Sequence, residues 1–355
     1  MRVSKRTASI CAVSAAVILA AGVTACHERC LASTPLTDLV ARATAHVYEL
    51  LRAIGSTTIG RVGTLVVLVL IVEAVVSGWR GSSLFRLIFK RSKTAIVDIV
   101  FFASLHLQLL AFVEIAFTLG VSLLASQFIA WISSHYGWSR LVLPSDGVFD
   151  TGASLAVFWL LTSFVQYWGH RWMHVPMFWR LHRFHHASTE LNVISAFRQH
   201  PLEPVFLRFL SIVSPLIFFD VSQRILLVYF FVYTITDLLA HSELPWGYGW
   251  IGRWIVQSPR VHQVHHSIED EHQNLNFSFC PLWDHVFGTW YKGSNEPSKF
   301  GIADPAYEQR PLRQFALDAW MFYASLMQWA RSLPDKCRAI GADAPPVGRI
   351  EINRP

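Results

Sequence analysis

Long apolar runs, separated by short basic or polar segments, restrict the folds open to this chain. The run from Thr58 to Trp79 is long enough to cross about 30 Å of hydrocarbon as a helix. The next run, from Thr94 to Ile132, is too long for one span and predicts a helical hairpin bent near Thr118 to Ser122. The segment between the two runs, RGSSLFRLIFKRSK, is basic, which favours the cytoplasmic side of a membrane.

Three further apolar segments follow. Thr151 to Tyr167 predicts one helix, and Pro204 to Phe219 with Arg224 to Ala240 predicts a second hairpin broken at DVSQ. The segment from Arg313 to Arg331 is rich in aromatic residues and has tryptophans and charges at its ends, which indicates a helix lying on the membrane surface. The tail after Leu333 is polar, and we expect it to be disordered.

The composition also favours a membrane protein. Hydrophobic residues make up 53% and charged residues 15% of the 355 residues, and the mean hydropathy is +0.36, whereas soluble domains carry about 25% charged residues. The net charge of +6 is spread over loops such as Arg86 to Lys93 and does not form a nucleic-acid-binding patch. The cysteines form no CxxC pair, which argues against a cysteine zinc site or a disulfide framework. They are Cys11, Cys26, Cys30, Cys280 and Cys337.

The N-terminal sequence MRVSKRTASICAVSAAVILAAGVTAC combines basic residues with an apolar run. It resembles a signal peptide, and its end at Cys26 resembles a lipoprotein cleavage box. We favour a short membrane anchor, because a polytopic protein rarely needs a removable signal. The region from Thr34 to Gly55 predicts an amphipathic helix.

Histidines are concentrated at the ends of apolar segments. GHRWMHVPMFWRLHRFHHAS holds five histidines and RVHQVHH holds three, while DLLAHSE places Asp237 one helical turn before His241. Spacings of three and four residues put side chains on one face of a helix, about 5–6 Å apart. Nine histidines therefore have a plausible common target: His170, His174, His182, His185, His186, His241, His262, His265 and His266.

A shared metal site explains this concentration better than isolated roles do. Imidazole suits iron, zinc, copper and nickel, and nine nitrogen ligands exceed what one tetrahedral zinc can use. They suit two metals with open coordination positions. The histidines that stand alone are interpreted as surface or core residues: His46, His106, His135 and His272. The apolar runs and the histidine clusters together predict an all-α fold. We expect a polytopic transmembrane helical bundle with a cytoplasmic histidine-rich metal-binding cap.

The order of the histidine motifs, HxxxH, then HxxHH, then a later HxxHH after further spans, resembles the fatty acid hydroxylase / sterol desaturase superfamily of integral membrane proteins. The similarity covers about Val157 to Tyr291 and goes beyond the histidines. It includes HHASTELNVISAFRQHPLE, LLAHSELP and VHQVHHSIEDEHQNLNFSFCPLWDHVFGTW. The N-terminal 150 residues carry no comparable signal.

The resemblance implies a histidine-bound centre of two irons that uses O2 and two external electrons to hydroxylate or desaturate unactivated lipid C–H bonds. It implies that the nine histidines are the ligands. The chain then divides into a signal-like or anchor segment with linker (1–57), transmembrane helices (58–150), a fatty acid hydroxylase-like catalytic region (151–295), and an interfacial helix with a polar tail (296–355).

Some positions depart from the family pattern or need a separate interpretation. The fatty acid 2-hydroxylase branch has a histidine where this chain has Asp237, which argues against that branch and leaves Asp237 to orient His241 or to bind metal. Glu243 replaces the usual asparagine of HSN, and the sequence suggests no role for it. His200, in RQHPLE, is expected beside the metal ligands, together with Glu203.

Three residues near the last box receive structural interpretations. Asn276 and Asp284 match family positions and are expected to cap and close a loop, although Asp237, Glu203 and Asp284 are also candidate acceptors that fix histidine tautomers. His285, in WDH, is interpreted as structural.

The implied partners are a lipid substrate, the membrane and a separate electron-transfer protein, because the chain has no HPGG haem element, ferredoxin cysteine set or GxGxxG fingerprint. Sterol, fatty acyl lipid, carotenoid and alkylglycerol substrates are all compatible, as are hydroxylation and desaturation. A zinc hydrolase is the first alternative, but HExxH is absent and no box contains a carboxylate placed as a general base. A metal-binding or transport protein is the second, but the histidines lie at the ends of the predicted spans.

Overall fold

The computed structural model describes residues 58–106, 127–208, 210–211 and 214–342. The predicted N-terminal anchor, the predicted helix from Thr34 to Gly55 and the predicted bend from Thr118 to Ser122 lie outside the described residues. The expectations for these segments stay predictions.

The first apolar run forms a helix, as predicted. Helix α1 covers Thr58–Ser77 and is followed by Gly78, whose positive φ of 77° is a conformation that favours glycine. A 3-10 turn, one α-helical turn and a π-helical turn then lead through the basic segment: Trp79–Gly81, Ser83–Phe85 and Arg86–Lys90. Helix α2 covers Lys93–His106, and residues 127–136 form helix α3.

The first histidine boxes occupy two consecutive helices. Helix α4, Val148–Met173, extends the predicted apolar helix through the first box, with His174 as its C-cap. Helix α5, Pro176–His186, carries the second box. The break between them follows from Pro176, because a proline is favoured at the first helical position and holds the preceding Val175 in an extended conformation.

The second predicted hairpin contains both helices and a strand. Helices α6 and α7 cover Leu202–Arg208 and Ser214–Phe218, and strand β2 covers Phe219–Val221. Strand β2 pairs in parallel with strand β1, Leu141–Leu143, with Leu141 opposite Phe219. The all-α prediction is therefore incomplete, because the break between two apolar helices satisfies its backbone polar groups by pairing with a second extended segment.

The middle histidine and the last box also lie at helix ends. Helix α8, Gln223–Ala240, begins after the cap Ser222 and ends at His241. Helix α9 covers Gly249–Trp254. Helix α10, Pro259–His265, begins after Ser258, whose side chain accepts a hydrogen bond from the Val261 N–H, and it ends at His266.

The C-terminal region is helical over most of its described length. Helices α11, α12 and α13 cover Leu282–Val286, Pro305–Gln309 and Pro311–Ala342. Helix α13 contains the predicted segment and continues past Leu333, so the expectation of a disordered tail was wrong for residues 334–342. Polarity does not by itself prevent a helix, since lysine, arginine and alanine in that stretch are good helix formers, and the helix continues in spite of Pro334 and Gly341.

Among the residues that the structure describes, α4 and α8 are long and apolar enough to cross a membrane, and Val62–Ser77 is a shorter apolar helix. Helices α4 and α8 pack together through Phe158, Trp159 and Tyr229. The ring centroids of Phe158 and Tyr229 lie 5.0 Å apart. The further predicted spans, and the side of the membrane on which the histidines lie, stay predictions.

Buried polar contacts hold the second histidine box against neighbouring helices. The Arg198 guanidinium, 1% exposed, donates to the Phe184 carbonyl in α5, at 3.0 Å, and to Thr94 Oγ1 in α2, at 2.7 Å. It also pairs with Asp98 Oδ1 at 3.2 Å. Arg183 of α5 also pairs with the buried Asp318 of α13. Helix α5 is therefore tied to both α2 and α13.

Candidate metal centre

Four helices end at one place, and each contributes histidines there. The contributing helices are α4, α5, α8 and α10. Eight of the nine predicted histidines are buried, and His174 is half-buried. The C-terminal end of a helix carries a partial negative charge, so four converging ends favour a bound cation.

The nine histidines form two groups. Within each group, one ring nitrogen per residue lies within 4.8 Å of all the others. The five-histidine group consists of His170, His174, His182, His186 and His265. The four-histidine group consists of His185, His241, His262 and His266.

Each HxxHH box is shared between the two groups. His182 and His186 of the second box belong to the five-histidine group, whereas His185 belongs to the four-histidine group. In the last box the division is reversed, because His265 alone joins the five-histidine group. Within each HxxHH box, the two histidines that are four residues apart therefore belong to the same group, and the histidine between them belongs to the other group.

The Nε2 atoms point inwards in both groups. In the five-histidine group, His170 Nε2 lies 3.0 Å from His182 Nε2 and 3.1 Å from His265 Nε2. In the four-histidine group, His241 Nε2 lies 3.2 Å from His185 Nε2 and 3.1 Å from His262 Nε2. The two groups therefore each focus several nitrogen atoms on one small volume.

Hydrogen bonds on the outer side of the rings fix which nitrogen carries the proton. His170 Nδ1 lies 2.7 Å from the Phe277 carbonyl oxygen, and His265 Nδ1 lies 2.7 Å from the Leu275 carbonyl oxygen. A carbonyl only accepts, so both Nδ1 atoms are donors and both Nε2 atoms of the neutral rings present lone pairs. Two lone pairs 3.1 Å apart repel each other. A cation between them removes the repulsion, so the donor set fits a metal ion.

The environment keeps the rings neutral. Burial, reinforced by the neighbouring imidazoles, holds the pKa of several rings well below the ordinary value for histidine. These rings are His174, His182, His185, His186, His262, His265 and His266. Neutral imidazole is the form that binds a metal.

Two of the three carboxylates that the sequence suggested, Glu203 and Asp237, contact outer nitrogens of the histidines, whereas Asp284 does not. Glu203 Oε1 lies 2.8 Å from His182 Nδ1, with both side chains buried. Asp237 Oδ1 lies 3.4 Å from His241 Nδ1, which donates to the Asp237 carbonyl at 2.8 Å. Asp237 is therefore placed to orient His241 through its outer nitrogen.

His200 has a different environment from the one predicted for it. Its Nδ1 accepts a hydrogen bond from the Leu202 N–H at 3.2 Å, at the start of α6. Its ring packs against Phe315 and Tyr323 of α13, and burial lowers its pKa to about 4. Its described contacts are therefore with the α6 backbone and with α13, whereas Glu203 contacts a histidine of the group.

Asp284 closes the loop after the last box. Its carboxylate accepts hydrogen bonds from the Phe277 and Ser278 N–H groups, at 2.8 Å and 3.0 Å, and from Thr289 Oγ1 at 2.8 Å. The Asn276 side chain donates to the Val261 carbonyl at 3.2 Å. The predicted capping and closing roles agree with these contacts. This loop supplies the carbonyls that orient His170 and His265, and backbone acceptors leave no signature in a sequence.

Two residues outside the groups are explained by their contacts. Glu243 forms an ion pair with Arg86, and its N–H donates to Glu73 Oε2 at 3.5 Å, so it ties the end of α8 to α1 and the basic segment. The His285 ring stacks on Trp254 with centroids 4.0 Å apart. His285 is placed away from both groups, in keeping with the structural role expected for it.

Among the isolated histidines whose side chains the structure describes, His272 is the one that lies next to a pair of acidic residues. Its ring is fully buried and contacts Glu269 and Glu271, the three residues forming a small group after the last box. Glu269 accepts a hydrogen bond from the Ser298 backbone N–H, and Glu271 accepts from Asn295. Since these carboxylates have protein partners, the group is explained as a hydrogen-bonded loop.

The fold and the site together define a class of protein, a helical protein whose helix ends gather two buried histidine groups able to hold metal ions. Residues 155–289 match the family model described as fatty acid hydroxylase. Over that region the chain is similar to the fatty acid hydroxylase / sterol desaturase superfamily, as its histidine boxes predicted.

The individual relatives share low sequence identity with this chain, and each is longer than the region that matches. Alkylglycerol monooxygenase of Homo sapiens is 28% identical over 159 residues, which are 42% of this chain and 33% of that protein. Sphinganine C4-monooxygenase 2 of Arabidopsis thaliana is 26% identical over 42% of this chain and 56% of that protein. Methylsterol monooxygenase 1-3 of Arabidopsis thaliana is 24% identical over 46% of this chain and 56% of that protein.

The chain therefore spans between a third and just over half of the length of these relatives. No solved structure matches the chain significantly.

Proposed function

We propose that the protein is a membrane-bound non-haem di-iron oxidoreductase that hydroxylates or desaturates a lipid C–H bond, using O2 and electrons from a separate protein. The observation that carries the proposal is the pair of buried histidine groups whose Nε2 atoms converge. The matched relatives are named as monooxygenases of three different lipids. Their shared feature is oxidation of a lipid, which is the substrate class proposed here.

The five-histidine group and the four-histidine group would each hold one iron. When bound, the metal pair would supply the activation of O2 and the attack on an inert C–H bond, which no side chain can perform by acid–base chemistry. The imidazoles would leave the centre cationic, because histidine binds a metal as the neutral ring.

The chain's own groups orient the ligands and exclude water. The carbonyls of Phe277 and Leu275 hold the Nδ1–H of His170 and His265, which fixes the tautomer and aims each Nε2 inwards. Glu203 and Asp237 serve His182 and His241 in the same way. Burial of eight of the nine rings keeps bulk water away from the reacting atoms.

The location of the site suits a lipid substrate. Helices α4 and α8, the two helices that could cross a membrane, both end at the histidine groups. In the proposed multi-pass topology the site lies just beyond the hydrocarbon, on the cytoplasmic side together with the basic segment from Arg86 to Lys93. Hydroxylation there consumes the substrate, one O2, two electrons and two protons, and gives the alcohol and one water.

Metal content tests the proposal. The wild-type protein would be purified in detergent without a histidine tag and compared with His185→Ala/His265→Ala, which removes one ligand from each group. We expect about two irons per wild-type chain, loss of that iron in the double variant, and an O2-dependent oxygenated product with reductant and lipid. His135→Ala/His285→Ala is the matched control, because neither residue belongs to a group.

Two outcomes would contradict the proposal. Zinc that persists in protein from iron-supplemented cultures would agree with the metal site but would contradict the proposed oxygen chemistry. Metal content that is equal in the double variant and in the control would overturn the site itself.

A further inference from the structure

Trp179 extends the histidine face of α5 by one turn. Residues 179, 182 and 186 are spaced by three and four positions and therefore lie on one face of the helix. The Trp179 ring centroid lies 6.0 Å from that of His182, 5.3 Å from that of His186 and 5.0 Å from that of His174. An indole thus covers one side of the five-histidine group.

That side is where the five-histidine group is least enclosed. His174 is the one half-buried member of the two groups, and Trp179 is half-buried as well. The neighbours of His174 at the corner between α4 and α5 include Trp172, which is 47% exposed, and Val175, which is 41% exposed. The surface at this corner is therefore partly apolar.

The same corner coincides with the end of a possible membrane helix. Helix α4 is long and apolar enough to span a bilayer, and it ends at Met173. An exposed tryptophan at that end, Trp172, suits the level where a bilayer meets water. An alkyl chain moving laterally in the bilayer would meet this corner before it met any buried histidine.

We infer that Trp179 is a specificity-determining residue whose indole contacts the alkyl part of the lipid substrate and limits the width of the substrate that can approach His174. The inference rests on the proposed function and names the residue through which that site selects its substrate. A flat, rigid indole leaves room for a linear chain and restricts a wide fused-ring lipid. Reducing Trp179 in size should therefore change which lipid shape is accepted.

A cross-linking measurement tests the contact without requiring turnover. An alkylglycerol with a diazirine in its alkyl chain would be photolysed with the iron-loaded wild-type protein in detergent, and the labelled peptides would be mapped. We expect labels within residues 172–179, reduced several-fold by an excess of unmodified alkylglycerol. Labels only elsewhere, or labels here that the competitor leaves unchanged, would overturn the inference.

A selectivity measurement tests the consequence. Trp179→Ala and Trp179→Phe would be compared with wild type on an octadecylglycerol, sphinganine and a 4-methylsterol, with iron content measured for each protein. We expect Trp179→Ala to raise kcat/KM for the sterol, relative to the linear lipids, by about tenfold or more, with Trp179→Phe between it and wild type. Trp168→Ala is the matched control, because Trp168 is a half-buried tryptophan that contacts Phe287 and Arg171.

The possible failures are distinguishable. A wild-type protein that binds no iron and oxidises none of these lipids would contradict the proposed function. An iron-loaded, active protein whose preference among the lipids is the same in Trp179→Ala and Trp168→Ala would contradict the role of Trp179 alone.

Discussion

The imidazole rings of His186 and His266 stack with their centroids 4.4 Å apart and their planes 21° from parallel, although the two residues belong to different histidine groups. His185 contacts the same ring of His266 at a centroid distance of 4.7 Å. The two groups are therefore in direct contact through stacked imidazole rings. Together they form one centre with two metal-binding compartments.

The number of ligands in each compartment leads to a first prediction. Removing one of four histidines leaves three nitrogens, whereas removing one of five leaves four, enough for a complete tetrahedral set. We expect His262→Ala to lose more metal than His174→Ala after dialysis against a weak chelator, as measured by mass spectrometry of metal per chain. Equal losses would show that the two groups do not differ in ligand redundancy.

Glu203 provides a second prediction. Its buried carboxylate contacts His182 Nδ1 at 2.8 Å, so Glu203→Ala removes the acceptor that orients this ligand. Losing such an outer partner typically lowers metal affinity about 10–100-fold, and we expect a loss in this range by competitive chelator titration. Glu203→Gln keeps an acceptor oxygen and should retain most of the affinity.

Glu308→Gln is the control for Glu203, because Glu308 is an exposed carboxylate on α12. If Glu203→Ala binds metal as tightly as this control, Glu203 does not orient a ligand. Circular dichroism of each variant separates loss of metal from loss of fold.

Much of the centre could be predicted from the sequence, because its ligands follow helical spacing. HxxxH and HxxHH place imidazoles on one helix face, and the polar ends of apolar helices indicate where those faces meet. The division of each box between two groups could not be predicted in this way. It depends on how α5 and α10 approach each other, which leaves His185 and His265 on the opposite side from their neighbours.

The fold was predictable where a segment's own pattern decides its structure. Helix α4 follows from apolar length, and the break at Pro176 follows from proline chemistry. The pairing of β1 with β2 depends on two segments far apart in the sequence, neither of which has a clear strand pattern. The continuation of α13 beyond Leu333 was missed because polarity was taken as a sign of disorder.

The buried ion pair between Asp98 and Arg198 leads to a third prediction. Asp98 on α2 is 0% exposed and Arg198 is 1% exposed. Asp98→Ala leaves a buried guanidinium without its carboxylate, which costs about 3–5 kcal/mol. We expect a large fall in the melting temperature in detergent, or loss of folded protein.

Asp220→Ala is the matched control for this ion pair. Asp220 pairs with Arg140 at 3.1 Å, and both side chains are well exposed, so its loss should cost about 0–1 kcal/mol. Equal melting temperatures for the two variants would show that the buried pair contributes no more than an exposed one.

Asp284 gives a prediction about pH. Burial raises its pKa to about 7, against the hydrogen bonds from Thr289, Ser278 and Phe277, which lower it. The ordinary value is 3.8, so between these two values the folded chain holds a proton that the unfolded chain has released. Stability therefore decreases as the pH rises through this interval and does not change further, on account of this group, above about pH 7.

The measurement is the melting temperature of metal-free protein at a series of pH values from 5 to about 8. Metal-free protein is needed because metal binding has its own pH dependence. The buried histidines, whose pKa is lowered, make the stability of every variant rise with pH up to their ordinary value, so the prediction concerns the difference between wild type and Asp284→Asn. Asp284→Asn should melt lower than wild type at acidic pH, because an amide cannot accept all three hydrogen bonds. The difference in melting temperature should become smaller as the pH rises to about 7 and should then level off. Asp146→Asn, a change at an exposed aspartate, should keep the wild-type slope, and an unchanged slope in Asp284→Asn would assign the pH dependence to other groups.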